Sequence, residues 1–306
     1  MNIACIGLGG VGGYYGAKLA DLATDKEDVN VYFVARNKHL AAIQQNGLKV
    51  KFRNGQELVS HPTLVTDQIA DLPQLDICFI SVKSYDLEDV LVQLKEKVHS
   101  NTQIIPLLNG IDIYERVRSI IVDSVVYPTC VYIAAYIESP GVISQITTGC
   151  RIISGPDPLN SEHTPSEIIS LFELLGEKFI FTENVLYEIW NKFLFISPYG
   201  LVTASNNKSI YEVYQNEELR ADVLGIMNEV LAIAEKFGID ITEETVQRNL
   251  VRAQAFPEDS TSSFHKDYLN TEKPNEKETL GQVIIDLGKK CDVPTPITER
   301  VYASLR

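Results

Sequence analysis

The sequence predicts an α/β protein in which a Rossmann-type, doubly wound parallel sheet is followed by an all-helical domain. The chain begins with a short apolar run, Ile3 to Ile6, that breaks into a glycine-rich turn and then a helical pattern. Strand patterns alternate with helical ones up to about residue 181, and only helical patterns follow from residue 184. We therefore expect a Rossmann-type domain over residues 1–182 and a helical domain over residues 183–306.

Charge and composition argue against several classes of protein. The formal net charge of −14 opposes general binding to nucleic acid or to an anionic membrane. The N-terminus enters the first strand without a signal peptide, and no apolar run approaches the roughly 18 residues of a membrane span, so a cytoplasmic protein is expected. The cysteines lack CxxC spacing and the histidines lack HxxxH spacing, so neither disulfides nor a metal site are predicted.

The turn after the first strand has the GxGxxG spacing of dinucleotide-binding sites. Gly7 permits a sharp turn, Gly9 lets the backbone approach a pyrophosphate, and Gly12 lets the next helix pack on the strand. Such a turn can also bind nothing, but its place between a strand and the helical pattern Val11 to Leu22 favours phosphate binding at the helix start. The expected cofactor-binding residues here are Gly7, Leu8, Gly9, Gly10, Val11 and Gly12.

The second strand pattern, Val29 to Ala35, ends in Arg36. In Rossmann enzymes an acidic residue near this point binds the ribose 2′-hydroxyl of NAD, whereas a cation accommodates the 2′-phosphate of NADP. Arg36 therefore favours NADP, with Lys38 as a second cation. An arginine that merely begins a surface helix is the alternative.

The next elements extend the sheet. Leu48 to Phe52 and Gln56 to Ser60 flank an Asn-Gly turn and predict a hairpin, which we interpret as a decoration. Leu75 to Val82 predicts a buried parallel strand followed by Lys83, at the edge where such sheets present side chains to a ligand. A solvated surface lysine is nearly as good an interpretation. A helix is expected over Leu87 to Val98.

Further strands are predicted up to the polar segment that precedes residue 167. Their patterns cover Gln103 to Leu108, Val125 to Tyr136, Gly141 to Thr147 and Arg151 to Ser154. Asn109 and Gly110 follow the first of these and could form a simple turn. A helical pattern over Glu167 to Gly176 and an apolar run end this domain, and helices are then expected at about 184–206, 217–237, 243–254, 276–290 and 295–305.

Three polar positions in the helical part could carry chemistry. Lys192 lies within an apolar helical segment, and a partly desolvated lysine can donate a proton to a forming alkoxide. A lysine whose ammonium group reaches solvent from the helix surface is the alternative. The hydroxyls of residues 260–263 could bind a carboxylate, and Glu276 opens a predicted helix, but serines are common in loops and acids in first helical turns.

Taken in order, these motifs resemble the ketopantoate reductases (2-dehydropantoate 2-reductases) over nearly the whole chain. The matching motifs are the GxGxxG turn, Arg36, Lys83, Leu107-Leu108-Asn109-Gly110, Pro140-Gly141, Trp190-x-Lys192, Thr261-Ser262-Ser263, Pro274-x-Glu276 and Val293-Pro294-Thr295-Pro296. Members of this family reduce 2-dehydropantoate to pantoate with NADPH, on the route to pantothenate and coenzyme A.

The resemblance implies specific roles for individual residues. Lys192 would be the proton donor, and Glu276 an acidic partner that contacts the cofactor and orients the site. Asn109 would lie beside the nicotinamide and the substrate, and Ser263 would bind the substrate. Lys83 and Ala135 would contact the cofactor.

The chain departs from the family pattern where that pattern has three substrate-binding asparagines, here Ile196, Gly200 and Ile210. Loss of buried hydrogen bonds to a polar substrate can change selectivity by orders of magnitude. Ser197, Tyr199 and Thr203 are possible replacement hydroxyls.

The expected function is therefore the NADPH-dependent reduction of 2-dehydropantoate, and the expected binding partner is a small 2-oxo acid. The sequence is also compatible with a homodimer. A reductase of another small branched 2-oxo acid and a non-catalytic NADPH-sensing protein are the alternatives.

Overall fold

The computed structural model describes residues 1–270 and 274–305. The chain separates into two units, of which unit 1 comprises Met1–Leu108 with Ile113–Val185 and unit 2 comprises Asn109–Asp112 with Leu186–Arg306. Within the described residues, no helix is both long and apolar enough to cross a membrane.

Within the described residues, the strands all lie in unit 1. They are β1 (Asn2–Ile6), β2 (Asn30–Val34), β3 (Leu48–Lys51), β4 (Glu57–Ser60), β5 (Leu64–Thr66), β6 (Ile77–Ile80), β7 (Gln103–Pro106), β8 (Val125–Val126), β9 (Thr129–Tyr132), β10 (Ala135–Ser139), β11 (Val142–Gln145), β12 (Arg151–Ser154) and β13 (Lys178–Phe181).

The α-helices occur in both units. They are α1 (Gly10–Thr24), α2 (Asn37–Asn46), α3 (Leu87–Leu94), α4 (Ile113–Arg118), α5 (Ser166–Leu174), α6 (Val185–Asn206), α7 (Ile210–Gln215), α8 (Glu217–Lys236), α9 (Glu243–Val251), α10 (Ser263–Tyr268), α11 (Val283–Lys290) and α12 (Pro296–Ser304).

A six-stranded parallel sheet organises unit 1, with the strand order β5-β2-β1-β6-β7-β8. When only the six strands of this sheet are numbered along the chain, their spatial order is 3-2-1-4-5-6, which is the order of the Rossmann fold. Ile3 and Cys5 of β1 belong to one buried cluster, whereas Ala4 and Ile6 belong to another. Both faces of the sheet are therefore covered, and each fully buried isoleucine contributes about 1.5–3 kcal/mol of burial free energy. The predicted fold class is confirmed.

The predicted single strand from Val125 to Tyr136 is wrong, because this segment forms β8, β9 and β10 in three different sheets. Pro128 separates β8 from β9 and has no N–H for a ladder hydrogen bond. β9 pairs antiparallel with β12, and β10 pairs antiparallel with β11 across the predicted turn at residues 139–141.

The predicted hairpin is present as β3 and β4, but it is more than a decoration. β11 pairs in parallel with β3, with Ile143 opposite Val50, so the hairpin belongs to a four-stranded sheet of order β10-β11-β3-β4. This pairing joins residues almost a hundred positions apart, which local patterns cannot indicate.

Unit 2 is helical in the described residues, and its hydrophobic core is built around α6. Phe193, Leu194 and Leu201 of this helix are buried with side chains of α8, α9 and α11. The pattern predicted the long helices, but it missed the short helices α7 and α10. Both have only six residues, which is too short for a clear apolar period.

Candidate active site

The glycine-rich turn after β1 is held by the segment that follows β6. Gly7 has φ +90°, and a β-carbon there would lie 2.8 Å from the Ser81 backbone. The Ser81 hydroxyl donates a hydrogen bond to the Gly7 carbonyl at 2.6 Å. A β-carbon on Gly12 would lie 2.0 Å from that same hydroxyl oxygen, so only glycine lets α1 start this close to the strand end.

The start of α1 provides groups that can bind an anion. Gly9 is the residue before the helix, and the first intrahelical bond runs from Gly13 N–H to the Gly9 carbonyl. The preceding N–H groups therefore have no partner within the helix and carry the positive end of its dipole. A β-carbon on Gly9 would meet no atom within 4 Å, so the space over the turn is open. These features fit a dinucleotide pyrophosphate.

The predicted cofactor-contacting Ala135 lies directly against this turn, because its carbonyl oxygen occupies the space where a Gly10 side chain would project. The neighbouring hairpin turn is tied to α2, since Gly141 N–H donates to His39 Nδ1 at 2.9 Å. Burial lowers the pKa of His39. A neutral His39 therefore accepts from Gly141 beside the glycine-rich turn.

Arg36 and Lys83 both follow strands at the carboxyl edge of the parallel sheet. Arg36 lies two residues after β2 and precedes α2, and its Nη1 donates to Asp86 Oδ2 at 3.3 Å. Lys83 is half-buried and lies three residues after β6. Unit 1 thus gathers the glycine-rich turn, Ala135, Arg36 and Lys83 around the end of one sheet.

In unit 2, α6 carries Lys192 and contacts the two segments that bear Ser263 and Glu276. The Ser197 hydroxyl donates to the Leu280 carbonyl at 2.7 Å, four residues after Glu276. The Thr203 hydroxyl lies 3.2 Å from the Ser262 hydroxyl, next to Ser263. These bonds fasten both segments to the helix that presents the lysine.

The segment after Glu276 contains a local irregularity. Residues Glu278–Gln282 form a π-helical turn, and Val283 N–H reaches back five residues to the Glu278 carbonyl. Such turns leave a carbonyl oxygen without its usual helical donor, and they are frequent at functional sites. Leu280 lies within this turn, and its carbonyl accepts the Ser197 hydroxyl.

The remaining predicted site residues are half-buried or exposed. Lys192 and Glu276 are half-buried, and Ser263 is exposed at the first position of α10. Asn109 follows β7 by three residues and belongs to unit 2, where the nearby Ile111 packs on the core.

The positions of the three missing asparagines are filled by apolar packing. Ile210 is 3 % exposed within the core, and Ile196 is half-buried against it. A β-carbon on Gly200 would lie 3.3 Å from Leu280 and 3.6 Å from Phe264, so these two side chains occupy the space beside it.

Burial and existing hydrogen bonds argue against the suggestion that Ser197, Tyr199 or Thr203 replaces the lost amides. All three side chains are buried, with at most 1 % exposed. Ser197 is bonded to Leu280, Tyr199 donates to the Leu250 carbonyl at 2.7 Å, and Thr203 donates to the Gly200 carbonyl at 3.1 Å. Each of these hydroxyls therefore donates its proton to a backbone carbonyl within unit 2.

Sequence reasoning missed Ser81, His39 and Asp86. Ser81 follows a strand at the carboxyl edge, so the rule that selected Lys83 also applies to it. His39 and Asp86 carried no sequence signal, because their partners lie far away along the chain. Among the described residues, no cluster of three or more His, Cys, Asp or Glu side chains is arranged to hold a metal ion.

Comparison with known families gives two matches along the chain. The family described as ketopantoate reductase PanE/ApbA matches residues 3–156. The family of the ketopantoate reductase PanE/ApbA C-terminal domain matches residues 184–306.

Individual relatives are similar over nearly their full length. An uncharacterized oxidoreductase, YkpB, from Bacillus subtilis is 24% identical, with 100% of this chain and 98% of the relative aligned. A 2-dehydropantoate 2-reductase from Mesorhizobium japonicum is 25% identical over 100% of this chain and 97% of the relative. The crystal structure of 2-dehydropantoate 2-reductase from Porphyromonas gingivalis superposes on this chain with a TM-score of 0.84. The two sequences are 29% identical, and the match covers 100% of this chain and 99% of the other.

Proposed function

Because this chain belongs to the ketopantoate reductase family of pyridine-nucleotide-dependent oxidoreductases, we propose that it reduces 2-dehydropantoate to pantoate with NADPH. In this proposal the turn of residues 7–12 binds the pyrophosphate and Arg36 binds the 2′-phosphate. Lys83, Asn109 and Ala135 contact the cofactor.

NADPH, when bound, supplies a hydride to the keto carbon of the substrate. The Lys192 ammonium donates the proton that the carbonyl oxygen needs as it becomes an alcohol. Glu276 contacts the cofactor and orients the site, and Ser263 together with Asn109 binds the substrate. Lys192 and Glu276 are the proposed catalytic residues.

The main support for this proposal is that the segments of Glu276 and Ser263 are both hydrogen-bonded to α6. The Ser197–Leu280 bond and the Thr203–Ser262 contact hold the segments of Glu276 and Ser263 against the helix of Lys192. Three residues separated by up to 84 positions thus lie on elements that are bonded to one another within unit 2, as a shared substrate site requires.

The apolar residues at positions 196, 200 and 210 favour a second candidate, a reductase of another small branched 2-oxo acid. A pocket without the three amides cannot form the side-chain hydrogen bonds to a substrate that would distinguish a hydroxylated substrate from an apolar analogue. A protein that senses NADPH without turnover is the third candidate, and the presence of both Lys192 and Glu276 argues against it. Assembly of this chain into a homodimer is also part of the proposal.

A steady-state assay of NADPH oxidation with 2-dehydropantoate and a panel of branched 2-oxo acids tests the proposal. Turnover of 2-dehydropantoate with the highest kcat/KM is expected, and a higher value for another acid would support the second candidate. NADPH binding without oxidation by any acid would support the sensor.

A further inference from the structure

The guanidinium of Arg36 is paired with a carboxylate at the place where the cofactor's 2′-group is expected. Arg36 Nη1 lies 3.3 Å from Asp86 Oδ2, and the side chains are 55% and 32% exposed. Both groups are therefore accessible to a ligand. An exposed pair of this kind contributes little to stability, so a ligand can rearrange it.

Strand order places this pair across the glycine-rich turn. Arg36 follows β2 and Asp86 follows β6, while β1 lies between these two strands and leads into the turn. The carboxyl ends of parallel strands meet at one edge of a sheet, so the contact between Arg36 and Asp86 joins the segments that follow β2 and β6, on either side of β1.

The Asp86 carboxylate is available to Arg36 because it does not cap the helix that follows it. It directly precedes α3, where an aspartate commonly accepts from the helix N–H groups, yet its side chain makes no such cap. Its carboxylate is directed to Arg36 instead.

We propose that Asp86 is a specificity-determining residue that weakens the preference for NADPH over NADH, an inference that rests on the proposed function. A 2′-phosphate that binds Arg36 must displace or tolerate the Asp86 carboxylate, and like charges repel. A 2′-hydroxyl meets no such repulsion and can donate a hydrogen bond to a carboxylate. Asp86 thus supplies, from the segment between β6 and α3, the acidic group that is absent from the end of β2.

Dissociation constants for NADPH and NADH, measured by titration calorimetry without substrate, test this inference. Asp86→Asn keeps the side-chain shape and removes the charge. It should tighten NADPH binding about two- to fivefold at low salt and leave NADH binding unchanged or weaker. The gain should shrink at 0.5 M salt, because exposed charges are screened.

Asp89→Asn is the matched control, since Asp89 is an exposed aspartate in the first turn of α3 and the same net charge is lost. It should change the ratio of the two dissociation constants less than Asp86→Asn does. Equal changes in both variants, or equal changes for both cofactors in Asp86→Asn, would overturn the inference.

The same titrations separate this inference from the proposed function. If both cofactors bind with the expected shifts but no 2-oxo acid is reduced, the proposed function fails and the role of Asp86 stands. If 2-dehydropantoate is reduced and Asp86→Asn leaves the ratio unchanged, the role of Asp86 fails alone.

Discussion

The carbonyl oxygen of Ala135 lies 1.9 Å from the point that a β-carbon on Gly10 would occupy. β10 therefore packs against the first residue of α1 without any intervening side chain. Gly10→Ala should force these elements apart and destabilise the protein by about 1–3 kcal/mol, as overpacking of a close contact does. Thermal or urea unfolding measures this effect.

Gly9→Ala is the control for Gly10→Ala, since a β-carbon at Gly9 meets no atom within 4 Å. This variant should keep nearly the stability of the unmodified protein but bind NADPH more weakly, because the added methyl group lies where the pyrophosphate is expected. Equal losses of stability in the two variants would contradict this account of the turn.

Lys192→Ala should lower kcat by about 10²–10⁴ while the dissociation constant for NADPH stays nearly constant, because a general acid acts on the charge that develops in the transition state. Lys208→Ala is the control, since Lys208 is an exposed lysine of unit 2 paired with Glu212. Reduction of 2-dehydropantoate at close to the original rate by Lys192→Ala would disprove its role as proton donor.

Asp157 and Arg118 form a buried ion pair in unit 1, with side chains 0% and 8% exposed. Burial acts to raise the pKa of Asp157, but hydrogen bonds from Asn160, from two backbone N–H groups and from Tyr114 lower it below its usual value. Arg118→Met leaves this carboxylate without its counter-ion and should cost about 3–5 kcal/mol of unfolding free energy.

The depressed pKa of Asp157 also predicts a dependence of stability on pH. Its contribution is fully present above the ordinary aspartate pKa of about 4 and is lost as the pH falls through the lower folded-state value. Urea unfolding between pH 5 and pH 2 should show this loss, and it should be smaller in Asp157→Asn. Arg300→Met, which breaks an exposed pair with Asp222, should change stability by about 1 kcal/mol or less.

His265 predicts a second pH effect, in unit 2. This residue is 2% exposed, its Nε2 lies 3.1 Å from Asn207 Oδ1, and its Nδ1 is buried without a hydrogen-bond partner. Burial lowers the pKa of His265. The unfolded chain therefore takes up a proton first, so stability should fall as the pH drops below about 6.5.

Melting temperatures at pH 7.5 and pH 5.5 measure this histidine effect. The decrease on acidification should be smaller in His265→Gln than in the unmodified protein, whereas His61→Gln, at an exposed histidine, should leave the decrease unchanged. An identical decrease in all three proteins would show that His265 does not contribute.

The apolar positions on α6 predict weak discrimination between 2-dehydropantoate and 3,3-dimethyl-2-oxobutanoate, which lacks the hydroxyl. The ratio of the two kcat/KM values should be below about 200, the range that apolar pockets reach. Ile196→Asn, at a half-buried position, should raise this ratio. A preference of a thousandfold or more in the unmodified protein would contradict the prediction.

Gly200→Asn is the contrasting variant for this selectivity test. Its side chain would enter the space held by Leu280 and Phe264, so lower stability is expected instead of restored selectivity. Equal stability together with a higher ratio would show that this space can open.

The sequence by itself determined the features that depend on neighbouring residues. The apolar run before Gly7 predicted β1, the pattern at Arg151 to Ser154 predicted β12, and the long apolar period from residue 184 predicted α6. Side-chain period and turn residues are local properties, so they can be recognised without knowledge of the fold.

The tertiary structure alone decided which distant groups meet. It divided Val125 to Tyr136 among three sheets, and it directed Asp86 to Arg36 across the end of β1. It also placed the Ser197 hydroxyl on the Leu280 carbonyl, 83 residues away, so that a residue suggested for substrate binding serves the core. A buried polar group must find a partner, and the identity of that partner depends on the packing of elements that are remote in sequence.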